Sequence, residues 1–388
     1  MKLFTALVVL TGGVMITAFS HCAKSNSNHG GSTTNTDTTG TSGPDSLTYV
    51  YKTGTEGYSC FRIPAIIRTK KGTLLAFAEG RKNSCGDNGD INMVVKRSLN
   101  NGVTWDTTIT VWNDAKNTCG NPVPLIEEQS GNIILLMSWN YGPDDIGAID
   151  GGTSKDTRRV FVTSSADDGI TWQTPVQITD SVKKAGWGWY ATGPCHGLQV
   201  SRGKYAGRIV IPCDYIEVST KKGSSHIFYS DDRGVSWKLG GVVATDQTNE
   251  CSVAELSDGS LMLNMRSSSG FRKVATSIDG GITWNNVHDD VNLLDPVCQG
   301  SILNGEYNGS HQILFSNCFS TARANLTLRM SNTDGTSWSK TYKVYTGPAA
   351  YSDLVLLPNN QVGVLYEAGI TSPYEGIAFK TIPFSKFK

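Results

Sequence analysis

The octapeptide SADDGITW, Ser165 to Trp172, recurs as SDDRGVSW (230–237) and SIDGGITW (277–284). Two looser copies are SLNNGVTW (98–105), with Asn100 in place of Asp, and SNTDGTSW (331–338), with Thr333 there. The shared pattern, Ser-x-Asp-x-Gly-x-Thr/Ser-Trp, has the chemistry of a hairpin turn. The carboxylates of Asp167, Asp232 and Asp279 accept backbone N–H bonds, Gly supplies positive φ, and Trp anchors the turn on a sheet. Calcium loops look superficially alike, but the DxDxDG spacing and closing Glu are missing here.

Each copy follows a pair of strand-like runs rich in Ile, Val, Leu and aromatics. The pairs are 73–79 with 92–97, 133–139 with 159–164, 208–214 with 226–230, 260–266 with 273–277 and 312–317 with 327–331. A sixth pair, 361–367 with 377–382, runs into the C-terminus without a repeat turn. Spread over the roughly 344 residues that follow the N-terminal segments, six units average about 57 residues, close to a four-stranded propeller blade. The expected fold is all-β, a six-bladed β-propeller. The last blade lacks downstream chain for an outer strand, so the strand-like 47–53 is expected to close the ring.

Composition agrees. The 42 Gly and nine Trp among 388 residues suit many strands and tight turns rather than a helical bundle. Lys plus Arg and Asp plus Glu both number 34, a balance that argues against a nucleic-acid partner. Residues 1–22 read as an export signal: Lys2, then an almost uncharged run from Leu3 to Phe19. Cys22, after Phe19-Ser20-His21, is a candidate lipid-attachment site, and ordinary cleavage nearby is the alternative. Residues 23–45, dominated by Ser, Thr, Asn and Gly, read as a polar tether, leaving 46–388 as one domain. The expected location is therefore exported, whether periplasmic, cell-surface or secreted, with membrane contact only through Cys22. Eight further cysteines permit disulfides in such a compartment. Cys195/Cys213 and Cys298/Cys318 are the closest pairs in sequence, but connectivity does not follow from spacing. No CxxC supports a zinc site, and GWGWYA (186–191) fits a dinucleotide fingerprint only formally.

Five segments outside the repeat carry the chemistry. They are CFRIP (60–64), AFAEGR (76–81) with Asp87 beyond it, NECSVAEL (249–256) running to LNMR (263–266), DPVCQGS (295–301), and AYSDL (350–354) with LYEAG (365–369). Phe-Arg-Ile-Pro upstream of such turns resembles the sialidase (neuraminidase) family, and the resemblance extends through essentially the whole domain. The repeat alone is less specific, because other secreted proteins carry similar turns.

That resemblance implies a glycoside hydrolase that removes terminal sialic acid from glycoproteins, glycolipids or oligosaccharides. It needs no cofactor and no metal. Arg62, Arg266 and Arg323 are the implied clamp for the substrate carboxylate, where guanidinium forks bind bidentately. Arg329 is the rival to Arg323. Sialidases use a tyrosine nucleophile, which falls on Tyr351, with Glu250 as the base that takes its proton. Asp87 is the implied acid/base, with Asp90 its rival in the same loop. Glu367 is expected to orient Arg62, and Arg81 to reach a ring hydroxyl. Trp139, Trp187, Trp189 and Tyr190 are candidates either for apolar walls around the sugar or for core aromatics. Two alternatives stand beside hydrolysis: transfer to a sugar acceptor, as in a trans-sialidase, and binding without catalysis, as in an adhesin. An adhesin would keep the arginines but lose Asp87, Glu250 or Tyr351, and all three are present.

Overall fold

The computed structural model describes residues 47–245 and 247–388. The export segment, Cys22 and the tether lie outside them. Strands dominate, interrupted by the short helices Ile146–Gly151 and Thr179–Val182. Successive strands pair antiparallel with their neighbours in sequence, giving meanders here lettered in chain order.

Meander A comprises Cys60–Arg68, Leu74–Arg81, Ile91–Ser98 and Ile109–Trp112, and B comprises Thr118–Ile126, Ile133–Asn140, Arg159–Ser165 and Val176–Gln177. Meander C is Trp187–Thr192, Ile209–Glu217, Gly223–Ser230 and Lys238–Val242; D is Thr248–Glu255, Leu261–Ser267, Phe271–Ser277 and Asn285–Leu294. In E, Ser301–Tyr307, Ser310–Cys318 and Ala324–Ser331 end on the first part of the long strand Lys340–Leu357. The second part of that strand begins F, continued by Gln361–Ala368 and Gly376–Pro383. The outer strand of F is Tyr49–Lys52, which pairs with Gly376–Pro383, so the N-terminal strand closes the last meander as its pattern predicted.

The first strand of A packs against the first strands of both B and F. Apolar core lies between neighbours rather than within one sheet. One cluster joins Ile66, Leu74 and Val94 of A to Leu365 and Phe379 of F, and another joins Leu136 and Val160 of B to Ile211 and Phe228 of C. Neighbouring meanders with shared cores and inner strands in contact form a β-propeller architecture.

The octapeptide turns join the third and fourth strands. Their hydrogen bonds repeat: the N–H of Thr171, Ser236 and Thr283 donates to Asp167, Asp232 and Asp279 at 2.9, 2.8 and 2.9 Å. Asn100 and Thr333 accept equivalently from Thr104 and Ser337, which explains why the looser copies fold alike. The turn Gly has two duties. Gly102 and Gly169 have φ of 87° and 79°, and a Cβ there would come within 2.1 Å of Phe379 and 2.9 Å of Leu75, both in the preceding meander. The Trp side chains staple in the same direction: Trp172 packs edge-on against Phe77, and Trp338 donates to Asp290 at 2.8 Å.

Hydrogen bonds from Thr171 and Ser236 hold the carboxyls of Asp167 and Asp232 down at about 2. A depressed folded-state pKa stabilises above the unfolded value, about 3.9 for Asp, and that contribution is lost as pH falls toward the folded value. The thermal midpoint is therefore expected to fall between about pH 4 and pH 2, and more shallowly in Asp232→Asn. Equal slopes in a pH series of melting curves would contradict this.

Candidate active site

Strand direction sorts the two ends of the propeller. The repeat turns lie at one end; the starts of first strands and the ends of second strands lie at the other. There the first strands of A, B, C, D and F each lose regular register, at 62–65, 120–123, 187–190, 248–251 and 349–352. Such irregularities re-aim side chains. Two buried residues in them have left-handed backbones, Ile63 (φ 60°) and Asn121 (φ 54°). For β-branched Ile63 this is strain, held because its N–H donates to Glu367 at 2.9 Å.

These ends surround a cavity of about 200 Å³ lined by Glu79, Arg81, Asp87, Glu250, Arg266 and Tyr351, among others. The Tyr351 hydroxyl donates to Glu250 Oε1 at 2.7 Å, while Arg266 Nη1 donates to Glu250 Oε2 at 2.7 Å and to the Tyr351 oxygen at 3.2 Å. Arg62 and Arg323 set their guanidinium carbons 5.1 and 5.6 Å from the centroid of the Tyr351 ring. Three cations thus converge on one phenol. Burial pushes the Tyr351 hydroxyl well above its usual range and the Glu250 charge adds to this, with Arg266 and Arg62 opposing.

Glu367 is fully buried and grips Arg62 through two bonds, Nε to Oε1 at 3.0 Å and Nη2 to Oε2 at 3.2 Å. It also accepts from the Tyr351 N–H at 3.3 Å, so one carboxylate fixes both an arginine and the tyrosine backbone. Asp87 accepts from Arg81 at 2.8 Å and lies 3.6 Å from Arg62. Partial burial pushes its carboxyl up, but Arg81 and Arg62 outweigh it and the net shift is downward.

Asp90 is absent from the cavity lining. Arg323 donates to Tyr374 at 2.8 Å beside Tyr351, whereas Arg329 is buried against Phe319, 3.9 Å from its ring centroid. Of the four aromatics singled out in the sequence, only Trp189 lines the cavity. Trp187 stacks on Tyr215 at 3.6 Å, Tyr190 is core, and Trp139 donates to Asp114.

The cysteine pairs nearest in sequence are not bridged. Cys195, Cys213, Cys298 and Cys318 are free and buried, and the disulfide joins Cys60 to Cys85. That bond ties the start of the Arg62 strand to the loop bearing Asp87. Both ends belong to meander A: Cys60 pairs in register with Arg81, and Cys85 lies four residues past it, so strand pairing rather than the shortest sequence distance sets the bond.

Four polar residues of the cavity were given no role from the sequence: Glu79, Asn121, Arg158 and Asn249. Glu79 accepts from Arg81 at 2.6 Å and from the Asn121 N–H at 2.8 Å. Its signal was available, since Glu79 and Arg81 alternate on one face of the AFAEGR strand. A Cβ on Gly120 would come within 2.2 Å of the Glu79 carboxylate, so that glycine makes room for it.

The family model described as "BNR repeat-like domain" matches residues 72–364. The sialidase of Bacteroides fragilis is 30% identical over 353 residues, covering 85% of this chain and 64% of the relative. The exo-alpha-sialidase of Aspergillus fumigatus is 33% identical over 294 residues, covering 71% of this chain and 68% of that one. The chain belongs to the sialidase family. Among solved structures, the Hadza microbial sialidase Hz136 superimposes with a TM-score of 0.79 at 27% identity, covering 88% of this sialidase-family chain and 69% of the other. The chain thus spans just under two thirds of the length of its Bacteroides relative.

Proposed function

We propose that this protein is an exported exo-α-sialidase, built on a six-bladed propeller, that releases terminal sialic acid from glycoproteins, glycolipids or oligosaccharides with retention at the anomeric carbon. The observation that carries the reading is the Tyr351–Glu250 hydrogen bond at 2.7 Å, flanked by Arg62, Arg266 and Arg323 and facing the same cavity as Asp87. The Cys60–Cys85 disulfide supports export, since such bonds persist in oxidising compartments.

The three arginines bind the carboxylate on the anomeric carbon. A neutral phenol approaches that anionic centre with less repulsion than a carboxylate nucleophile. Because Tyr351 is held strongly protonated, its proton passes to Glu250 as the oxygen attacks, rather than beforehand. Asp87 donates its proton to the departing glycosidic oxygen and then takes one from the water that cleaves the tyrosyl intermediate, while Glu250 returns its proton to Tyr351. Two inversions give net retention. In the empty site the arginines keep Asp87 ionised. Substrate carboxylate arriving at Arg62 offsets that charge and favours the protonated acid.

Proton NMR of the first product resolves the stereochemistry: the α-anomer is expected first, and the β-anomer first would overturn the double displacement. Asp87→Asn is expected to lose about 10²–10⁴-fold on sialyllactose, whose leaving group needs a proton, and far less on an aryl sialoside. Equal losses on both would remove Asp87 as the acid. Transfer to added lactose in preference to water would make the protein a trans-sialidase, and sialoside binding without turnover would make it an adhesin.

A further inference from the structure

DPVCQGS (295–301) is the one distinctive segment with no part in the chemistry above. Its first half is a braced loop. The fully buried side chains of Arg272 and Asp295 pair at 2.8 Å, Arg272 Nη1 also donates to the Cys298 carbonyl at 2.6 Å, and the Cys298 N–H donates to Asp295 at 2.9 Å. Val297 is held at φ 58°, a strained setting for a β-branched residue, and its carbonyl accepts from Arg323 at 3.3 Å. Gln299 thus extends from a fixed support.

Gln299 is 1% exposed, and every polar group of its carboxamide is engaged. Oε1 accepts from the Ser352 N–H at 3.0 Å, while Nε2 donates to the Ser352 carbonyl and to the Pro194 carbonyl, each at 3.0 Å. Ser352 follows Tyr351 in the chain. Here the first strand of F loses register with Gln361–Ala368, between Ala349 and Ser352, so the ladder leaves the peptides around Tyr351 unfixed. No second strand pairs with Ser352 among the described residues. Buried backbone groups need partners, and a carboxamide presents donor and acceptor in one plane as a peptide does. Gln299 therefore stands in for the missing strand. On the other side, the Tyr351 N–H donates to Glu367 at 3.3 Å, so the backbone is gripped before and after the phenol-bearing carbon.

Resting on the sialidase reading, we infer that Gln299 is a positioning residue: by fixing the peptide between Tyr351 and Ser352, it sets the line along which the phenolic oxygen meets the anomeric carbon. The arginine clamp has other supports. Arg62 is held by Glu367, Arg266 by Glu250, and Arg323 by Tyr374 and the Val297 carbonyl. Gln299 acts on the attack and not on carboxylate binding.

The test is kinetic and uses Gln299→Met and Gln299→Glu. Met keeps the volume and removes all three bonds; an ionised Glu keeps the acceptor and removes both donors. Three quantities are read: kcat on 4-methylumbelliferyl α-sialoside, the rate at which a 2,3-difluoro sialosyl fluoride traps the tyrosyl intermediate, and Ki for a 2,3-unsaturated sialic acid, which meets the arginines without being attacked. Both variants are expected to lose about 10–100-fold in kcat and in trapping rate, the scale of a displaced near-attack geometry, with Ki unchanged. Asp353 keeps the strand in place through Ile66, His196 and Ser301, so the variants fold, which thermal melting verifies. If Gln299→Met melts early, Gln299→Glu carries the comparison. Parallel changes in kcat and Ki mean that Gln299 supports the whole site, and they overturn the inference, as does an unchanged kcat or trapping rate. A wild type that binds the unsaturated acid but hydrolyses no sialoside overturns the sialidase reading itself, and the inference with it.

Discussion

Tyr351→Phe loses kcat on a fluorogenic α-sialoside by roughly 10³-fold or more, the scale seen when a nucleophile is deleted from a catalytic unit. The substitution removes one oxygen from a side chain only 6% exposed, and Arg266 still holds Glu250 through its other oxygen, so packing survives. What disappears is the atom proposed to form the covalent intermediate. Residual turnover must then come from water attacking directly, and its first product should be the β-anomer. Steady-state kinetics with product NMR reads both quantities. A variant within about tenfold of wild type, still retaining, would show that general acid–base and binding effects alone carry the reaction.

The second large effect is on Glu367. Glu367→Ala strands the Arg62 guanidinium, itself 6% exposed, and removes the acceptor of the Ile63 and Tyr351 N–H groups. Breaking one side of a buried ion pair costs about 3–5 kcal/mol, which for a domain of this size lowers the thermal midpoint by roughly 4–7 °C. Activity falls as well, because Arg62 loses its orientation and the strained backbone at Ile63 loses its restraint. Glu367→Gln keeps acceptor and shape while losing charge, and should lie between. A Glu367→Ala midpoint within about 2 °C of wild type would mean that Arg62 is solvated or re-paired and that the carboxylate is not its anchor.

Legibility differed between scaffold and site for a physical reason. The turn is local: its Asp, Gly and Trp act within eight residues, so SDDRGVSW announces itself in one dimension. The residues proposed as clamp, nucleophile and base lay in segments distinctive enough to match a known family. Arg158 and Asn121 belonged to no motif. They line the cavity because irregular first strands of different meanders converge at one end, which no spacing along the chain encodes. The disulfide shows the limit of sequence distance within a single meander, where Cys60 starts the first strand and Cys85 follows the second. Cys60 and Cys85 are 25 residues apart and bonded, while Cys195 and Cys213 are closer in sequence and are free.

By itself, then, the sequence determined the repeating turn, the strand pairs around it, the closing strand near residue 50 and the residues that the family's chemistry requires. Only the tertiary structure decided which of those side chains share a cavity, which cysteines meet, and which buried carboxamide meets the strand of Tyr351. Turns and strands are specified by neighbours in the chain, whereas an active site is specified by distances between strands that the chain visits as far as 305 residues apart, as with Arg62 and Glu367.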